Sequence, residues 1–168
     1  MFRKQYSSMD LKGRGSFIIA RLTGETVSNL VDFCRKHNIT KFVKPPFNYF
    51  HITLLNTIKD VPTILRQYTQ NVTLTPHPIE IMRHYNGLRR MAILPLENAY
   101  IEERRQSLCS QYNLAIPPLS FHITLSYDCD DWKPNTLLVP DFPIKVEGES
   151  RFPFEFEDNQ DKRERQNA

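Results

Sequence analysis

The pentapeptide FHITL occurs twice in this chain, at residues 50–54 and again at residues 121–125. Each copy carries a histidine followed two positions later by a threonine, namely His51 and Thr53 in one copy and His122 and Thr124 in the other. Histidine has an unperturbed pKa of about 6.5, so its imidazole can accept or donate a proton near neutral pH. A threonine hydroxyl can donate a hydrogen bond to an anionic oxygen. The two copies together supply a proton acceptor, a proton donor and two hydroxyl groups.

Phosphodiester cleavage is a reaction that this set of groups suits. One neutral imidazole takes a proton from an attacking hydroxyl, while the other imidazole, protonated, delivers a proton to the leaving oxygen. The threonine hydroxyls donate hydrogen bonds to the non-bridging phosphate oxygens, whose charge shifts in the transition state. A single His-x-Thr unit on a strand is more often structural than catalytic, but two identical copies in matching contexts favour a functional pair.

Two other interpretations compete with a catalytic pair. Duplication alone would preserve two similar core strands, although histidine and threonine are costly to bury without hydrogen-bond partners. Two histidines also suggest zinc, which usually takes three or four protein ligands. No third histidine, cysteine or acidic residue stands at ligand spacing from either pentapeptide, so the sequence predicts no metal site.

The pattern within FHITL predicts a β-strand in both places. Side chains alternate between the two faces of a strand, so the phenylalanine, isoleucine and leucine of each copy anchor one face in a core. The histidine and threonine of each copy then share the opposite face. Two such strands brought together would place both imidazoles and both hydroxyls in one cleft.

Further elements must position these strands. Residues 16–22 are an apolar run that predicts a strand, and Thr23 is a candidate N-cap for a helix that ends near His37. The apolar face of that helix consists of Val27, Leu30, Val31 and Cys34. A second helix is predicted from Asp60, with Val61, Ile64, Leu65 and Tyr68 at the same spacing. In the second half, residues 78–84 and 90–96 form a predicted hairpin, a helix face comprises Ile101, Leu108, Cys109 and Tyr112, and residues 142–149 form a last strand.

Each half therefore has the order strand, helix, Pro-Pro loop and FHITL strand. The predicted fold class is α+β, with two pseudo-symmetric lobes of antiparallel sheet and flanking helices around a central cleft. We expect a flexible N-terminus over residues 1–15, a single bilobal domain over residues 16–157, and a disordered charged tail over residues 158–168.

The composition is that of an ordinary soluble domain. The chain has 168 residues, of which 40% are hydrophobic and 24% charged, and its formal charge is +3. No apolar run approaches the length of a membrane span, and the N-terminal residues lack the apolar segment of a secretory signal. Three cysteines without a Cys-x-x-Cys pair argue against a disulfide framework and favour a reducing, cytoplasmic location.

Paired His-x-Thr motifs on the strands of two similar lobes resemble the two-histidine phosphoesterase superfamily. Within it, the stretch SFIIARLTGETVSNLVDFCRKHNITKFVKPPFNYFHITLL looks most similar to the phage anti-CBASS phosphodiesterases, which destroy cyclic oligonucleotide alarm signals. The resemblance extends over about residues 16–156. It implies that His51, Thr53, His122 and Thr124 are the catalytic residues.

The resemblance also implies a carboxylate on the last strand, near the second histidine. Glu149 is the candidate and Glu147 the alternative, while a solvent-exposed charge is the competing interpretation. The phage members place an aromatic hydroxyl on the first strand, where this chain has Phe17, so that role is lost or has moved to Tyr49. Candidates for stacking on nucleobases are Tyr85 and Phe154, with Trp132 and Phe156 as further ones, while packing in the core or at the surface is the competing interpretation for each.

The activity that the resemblance implies is a metal-independent phosphodiesterase that cleaves 3′–5′ linkages of cyclic di- or trinucleotides and so counteracts host CBASS antiphage immunity. The ribose 2′-hydroxyl attacks phosphorus, and water then opens the cyclic phosphate. The partner is the cyclic oligonucleotide, in the host cytoplasm, with no cofactor and no membrane. Alternatives are an RNA-processing 2′,3′-cyclic phosphodiesterase or 2′–5′ RNA ligase-like enzyme, and a non-catalytic cyclic nucleotide sponge. Base preference, ring size, oligomeric state and the assignment of acid and base to the two histidines stay open at this point.

Overall fold

The computed structural model describes residues 13–43, 50–83, 90–116 and 121–156. In chain order these residues form β1 (Gly13–Leu22), α1 (Gly24–Lys36), β2 (Ile52–Thr57), β3 (Gln67–Pro76), β4 (Glu80–Arg83), β5 (Arg90–Glu97), α2 (Ala99–Gln111), β6 (His122–Ser126) and β7 (Ile144–Phe156). The strands form one sheet in the order β3-β7-β1-β2-β6-β5-β4. The pairings between these strands are antiparallel, which confirms the predicted α+β class.

A strand–helix–strand unit occurs twice in this sheet. In the first unit, α1 connects β1 to β2, and in the second, α2 connects β5 to β6. The strands β2 and β6 are neighbours, so the central order β1-β2-β6-β5 has the same pattern from either side. The outer strands differ in origin, because β7 from the end of the chain flanks β1 while β4 directly precedes β5. The predicted pseudo-symmetric halves are thus joined in one continuous sheet.

The sheet also curls back on itself. The edge strand β3 pairs with β7 through residues that include Leu74 and Ile144. It also pairs with β5, where Thr75 lies opposite Glu97. Because β5 belongs to the other half, this second pairing ties the two halves together at the side of the sheet away from the β2–β6 contact.

Both helices have a polar N-cap and bury apolar residues, and α2 buries two arginines as well. The Thr23 side chain accepts a hydrogen bond from the Thr26 N–H of α1, and the Asn98 side chain accepts one from the Ile101 N–H of α2. The predicted cap and end of α1 are confirmed, since its C-cap is His37. The buried apolar helix residues are Leu30, Phe33 and Cys34 in α1 and Ile101, Leu108 and Cys109 in α2.

The hydrophobic core lies on one face of the central strands. Alternate residues of β1 and β2, including Ile18, Ala20, Ile52 and Leu54, are buried and pack in the same cluster as the helix residues Leu30 and Ile101. Removing one such aliphatic side chain to alanine typically costs about 2–5 kcal/mol, because the surrounding atoms close the cavity only in part. The side chains on the opposite face of the central strands lie outside this core and include half-buried and exposed polar residues.

The helix predicted from residue 60 is wrong. Residues 60–66 have no regular secondary structure, and β3 follows them directly. Their backbone groups bond to distant residues, since the Val61 N–H donates to the Ser16 hydroxyl at 2.9 Å and the Arg66 N–H donates to the Glu149 carboxylate at 3.0 Å. A helix would pair the Arg66 N–H internally but would leave the Val61 N–H in its first turn without an intrahelical acceptor, and here distant residues satisfy both groups. Local apolar spacing therefore did not decide this segment.

Other boundaries differ less from the predictions. The strand β1 begins before residue 16, and β7 continues well past residue 149 as it pairs with β1. The predicted hairpin is confirmed by the β4–β5 pairing, while its Asn86-Gly87 turn, both Pro-Pro pairs and the charged tail lie outside the described residues. In the described ranges, neither helix combines the length and apolar character needed to cross a membrane.

Candidate active site on the central strands

The two FHITL copies form neighbouring strands and expose the same pair of residue types. In both copies the phenylalanine, isoleucine and leucine are buried, with exposures of 3% or less. His51, His122 and Thr124 are half-buried and Thr53 is exposed. This alternation confirms the predicted strand geometry and places the histidine and threonine of each copy on the face away from the core.

The register between the strands brings the two copies together. Ile52 of β2 lies opposite Ile123 of β6 in an antiparallel pairing. One residue further in each direction, the same register places His51 across from Thr124 and Thr53 across from His122. Because residues opposite each other in antiparallel strands share a face, all four polar side chains lie on one surface of the sheet.

The flanking strands repeat the same geometry around each copy. Ile19 of β1 lies opposite Thr53, and Ile93 of β5 lies opposite Thr124. In both pairings the register shifts by one residue, and the extra residue is Leu54 of β2 in the first pairing and Leu125 of β6 in the second. Such a bulge bends the strand that carries the extra residue and re-aims its side chains. Each FHITL strand is therefore bulged directly after its His-x-Thr unit.

An aromatic group borders the first histidine. The rings of Phe17 and His51 meet edge to face, with centroids 5.4 Å apart. Phe17 lies opposite Phe152 of β7, and the centroids of these two rings are 6.3 Å apart. Phe17 thus lies on the face of the sheet that carries the histidines, which we call the site face. It stands at the position where the resemblance implies an aromatic hydroxyl. On the other side, Pro95 lies opposite His122.

A cation also lies on this face. Arg21 follows Phe17 and Ile19 on alternate positions of β1, while the intervening residues are buried in the core. Its Nη1 donates to the carbonyl of Glu149 at 2.6 Å and to the Ser150 hydroxyl at 2.7 Å. Its guanidinium thus contributes positive potential beside the His51 end of β2 and also holds β7 against β1.

The position expected for Glu149 requires a correction. Glu149 lies opposite Ala20, whose other partner is Ile52, so its side chain is on the core face and not on the face of the histidines. It is 1% exposed, and Arg104 of α2 donates to both of its carboxylate oxygens, at 2.8 and 2.9 Å. Hydrogen bonding to Glu149 raises the pKa of Arg104. Glu149 is therefore a partner in a buried ion pair on the core face, and it does not lie on the face that carries the histidines.

The remaining candidates are dispersed. Glu147 is exposed at a bulge in β7, and the Trp132 ring nitrogen donates to the His37 carbonyl at 2.9 Å. Tyr85 and Tyr49 lie outside the described residues, and the side chains of Phe154 and Phe156 are likewise outside the description. In the described ranges no group of three or more histidine, cysteine, aspartate or glutamate side chains lies together as a metal ion would require.

The sequence analysis predicts no role for two residues of this face, Arg21 and Phe152. Residues 16–22 read as one apolar run, yet alternation along the strand puts Arg21 on the same face as Phe17. The predicted last strand ends at residue 149, whereas β7 extends past Phe152. The arginine within the run and the phenylalanine after Arg151 are the signals that assigning faces along both strands would have detected.

Solved structures of LigT from E. coli share this architecture. LigT complexed with phosphate matches with a TM-score of 0.58 at 18% identity, covering 84% of this chain and 87% of LigT. LigT complexed with 3′-AMP matches with a TM-score of 0.56 at 16% identity, over 84% and 88% of the two chains. The chain has a LigT-like fold.

A third structure, described only as a phosphoesterase, matches with a TM-score of 0.53 at 15% identity, over 85% of this chain and 94% of that one. LigT and this phosphoesterase are members of the two-histidine phosphoesterase superfamily, the group that the repeated motif resembles. No family model matches the sequence, and no curated protein matches it significantly. At identities of 15–18%, the similarity to these structures concerns the fold alone.

Proposed function

We propose that this protein is a two-histidine phosphodiesterase that cleaves the 3′–5′ linkages of cyclic di- or trinucleotides without a metal ion. The observation that carries the proposal is the antiparallel pairing of Ile52 with Ile123, which brings two His-x-Thr units onto one face. The LigT-like fold supports a phosphodiesterase or ligase-like activity in general. The resemblance of residues 16–55 to anti-CBASS enzymes supports the cyclic substrate and a role against host immunity.

In the proposed reaction, one imidazole removes the proton from the substrate's 2′-hydroxyl as its oxygen attacks the adjacent phosphorus. The bond between phosphorus and the 5′-oxygen breaks, and the second imidazole, protonated, delivers its proton to that oxygen. The product is a 2′,3′-cyclic phosphate with a free 5′-hydroxyl, which water opens in a second step. The hydroxyls of Thr53 and Thr124 donate to the non-bridging oxygens. The nucleophile is favoured because the ribose already holds it beside phosphorus.

The likeness to LigT favours a second candidate. An RNA-processing 2′,3′-cyclic phosphodiesterase or 2′–5′ RNA ligase-like enzyme would use the same four side chains on a linear substrate. A sponge that binds cyclic nucleotides without cleaving them is a proposal of another class.

Product analysis on a small panel separates these functions. Purified protein is incubated with cyclic dinucleotides and trinucleotides, with a linear RNA that ends in a 2′,3′-cyclic phosphate, and with 2′–5′ linked RNA. Chromatography then identifies the products. We expect cleavage of cyclic substrates at a rate well above that of the linear ones. Preferential conversion of the linear ends would favour the RNA-processing function, and tight binding with full recovery of intact cyclic nucleotide would favour the sponge.

The nucleophile is tested with a matched substrate. A cyclic dinucleotide with 2′-deoxyribose at both scissile positions lacks the attacking hydroxyl, so we expect it to bind but resist cleavage. EDTA should leave turnover of the ribose form unchanged. Comparable cleavage of the deoxy substrate, or a loss of activity in EDTA that zinc restores, would contradict the proposed mechanism.

A further inference from the structure

The two halves of the site face are equivalent at the His-x-Thr units but differ one strand further out. Phe17 stands two residues before Ile19 in β1 and lies opposite Phe152 of β7. Met91 stands two residues before Ile93 in β5 and lies opposite Met82 of β4. The first half thus has an aromatic pair where the second has a thioether pair. This difference breaks the symmetry of the site.

Phe152 is the exposed member of the aromatic pair. Half of its surface is accessible to solvent, although it lies within a long strand that pairs with β1 on the site face. Behind it, Phe17 is half-buried and its ring spans the distance to His51, with centroids 6.3 Å from Phe152 and 5.4 Å from His51. A flat apolar ring is therefore presented next to a candidate catalytic imidazole, supported from below by a second ring.

We propose that Phe152 is the platform on which a nucleobase of the substrate stacks, with Phe17 as the residue that fixes its position beside His51. This inference rests on the proposed function and adds that the site takes a base-bearing nucleotide and holds its base on the side of the first histidine. Every nucleobase has a π-face, and stacking on an aromatic side chain contributes about 1–3 kcal/mol per base. The ribose joins that base to the phosphate that lies between the two histidines.

A pair of ligands that differ in the base tests the platform. Adenosine 3′-monophosphate carries a base and a phosphate on its ribose, whereas ribose 3-phosphate carries the same phosphate without the base. Binding of each is measured by calorimetry to the wild type and to Phe152→Ala, Phe152→Trp and Tyr100→Ala. The last variant removes an aromatic ring of similar exposure, 42% against 50%, from the helix α2.

We expect Phe152→Ala to weaken binding of adenosine 3′-monophosphate by about five- to 150-fold, the range that stacking of one base implies. Phe152→Trp should keep or strengthen that binding, and Tyr100→Ala should leave it within about twofold of the wild type. Binding of ribose 3-phosphate should stay within about twofold in all four proteins, because the phosphate contacts are unchanged. With a cyclic dinucleotide, Phe152→Ala should raise KM more than it lowers kcat.

The proposal is overturned if folded Phe152→Ala binds adenosine 3′-monophosphate like the wild type. It is also overturned if Phe152→Ala loses both ligands equally, since that result would mean a structural role, or if the wild type does not distinguish the two ligands. Its failure differs from that of the proposed function. If the wild type binds the nucleotide through Phe152 but cleaves no substrate, the stacking platform stands and the proposed phosphodiesterase activity is wrong. If the enzyme is active and Phe152→Ala changes neither binding nor turnover, the activity stands and the platform is wrong.

Discussion

His51 and His122 occupy equivalent places in two paired strands, yet their neighbours differ. The rings of His51 and Phe17 meet edge to face with their centroids 5.4 Å apart, whereas His122 lies opposite Pro95. General acid–base catalysis on one substrate gives one imidazole the role of base and the other the role of acid. We therefore expect both histidines to be required, although they occupy equivalent places in the repeat.

Replacing either histidine should nearly abolish turnover. Since acid and base act in the same step, His51→Ala and His122→Ala should each reduce kcat by at least about 10²-fold, and the double variant should be little worse. Both variants should stay folded because the histidines are half-buried on the face away from the core. The measurement is initial rate on the cyclic substrate, with circular dichroism as the check of folding.

The matched control for this prediction is His77→Ala. His77 is 46% exposed, pairs with Glu97 at 3.0 Å, and lies outside the site face, so its removal should leave turnover unchanged. A folded His51→Ala or His122→Ala enzyme with near-full activity would show that the two-histidine mechanism is wrong.

Among the elements, α1 and α2 end in the same way. Each closes with an asparagine in the left-handed region, Asn38 at a φ of 56° and Asn113 at 54°. The following residue donates its N–H back to a buried cysteine carbonyl, from Ile39 to Cys34 and from Leu114 to Cys109. This is the 6→1 bond of a Schellman motif. The short match of CRKHNI with CSQYNL is the sequence trace of this shared end.

A buried ion pair connects α2 to the last strand. Arg104 and Glu149 are 5% and 1% exposed, and the Arg66 N–H donates to the same carboxylate. Breaking such a pair from one side leaves a buried charge and typically costs about 3–5 kcal/mol, while replacing both partners costs much less. We therefore expect Arg104→Met and Glu149→Gln each to lower the free energy of unfolding by that order, and the double variant to recover part of the loss.

Urea denaturation measures this double-mutant cycle. The exposed pair of Lys41 with Asp130 is the control, and its removal should change the unfolding free energy little. If the double variant lost as much unfolding free energy as the Arg104 and Glu149 single variants lose in sum, the pair would not act as a unit.

Burial of Cys34 in α1 should make the domain sensitive to alkali. Desolvation raises the pKa of the Cys34 thiol from 9.0 to about 12. Because the folded state keeps the proton to a higher pH than the unfolded chain, this contribution to stability is full below pH 9.0 and is lost as pH rises towards about 12. The melting temperature should fall more steeply over this range in the wild type than in Cys34→Ala, each relative to its own value at neutral pH. Parallel curves for the two proteins would contradict the prediction.

At the scale of the whole molecule, the two strand–helix–strand units meet where β2 pairs with β6 and Ile52 lies opposite Ile123. Both helices contribute residues to the core on one face, and the pairing of β3 with both β7 and β5 joins the two halves a second time. The site is thus formed where the halves meet, and its four polar side chains come equally from both. Neither half alone contains the pair of histidines that the proposed reaction requires.

Truncation of the chain after residue 158 should leave the domain unchanged. The sequence beyond that point is charged and has no apolar periodicity, so it offers little surface to bury. The melting temperature and the rate of cleavage of the truncated protein should match those of the full chain. A fall of several degrees in the melting temperature would show that the tail packs on the domain.

The sequence by itself determined the features that depend on local pattern. The alternation within FHITL was enough to assign a strand and a polar face, because the period of two is a property of any extended chain. The cap at Thr23 and the apolar spacing after it were enough to locate α1, since both act within one turn of helix. The repeat of the pentapeptide was enough to predict two related halves.

Only the tertiary structure decided the features that depend on distant partners. Residues 60–66 carry a helical spacing, but they form hydrogen bonds to Ser16 and Glu149 and have no regular secondary structure. Glu149 was expected in the cleft, but strand register puts it on the core face against Arg104. Phe152 lies on the face of the histidines because β7 continues along β1 past residue 149. Register and long-range hydrogen bonds are set by the whole sheet, and a one-residue change in register moves a side chain to the other face.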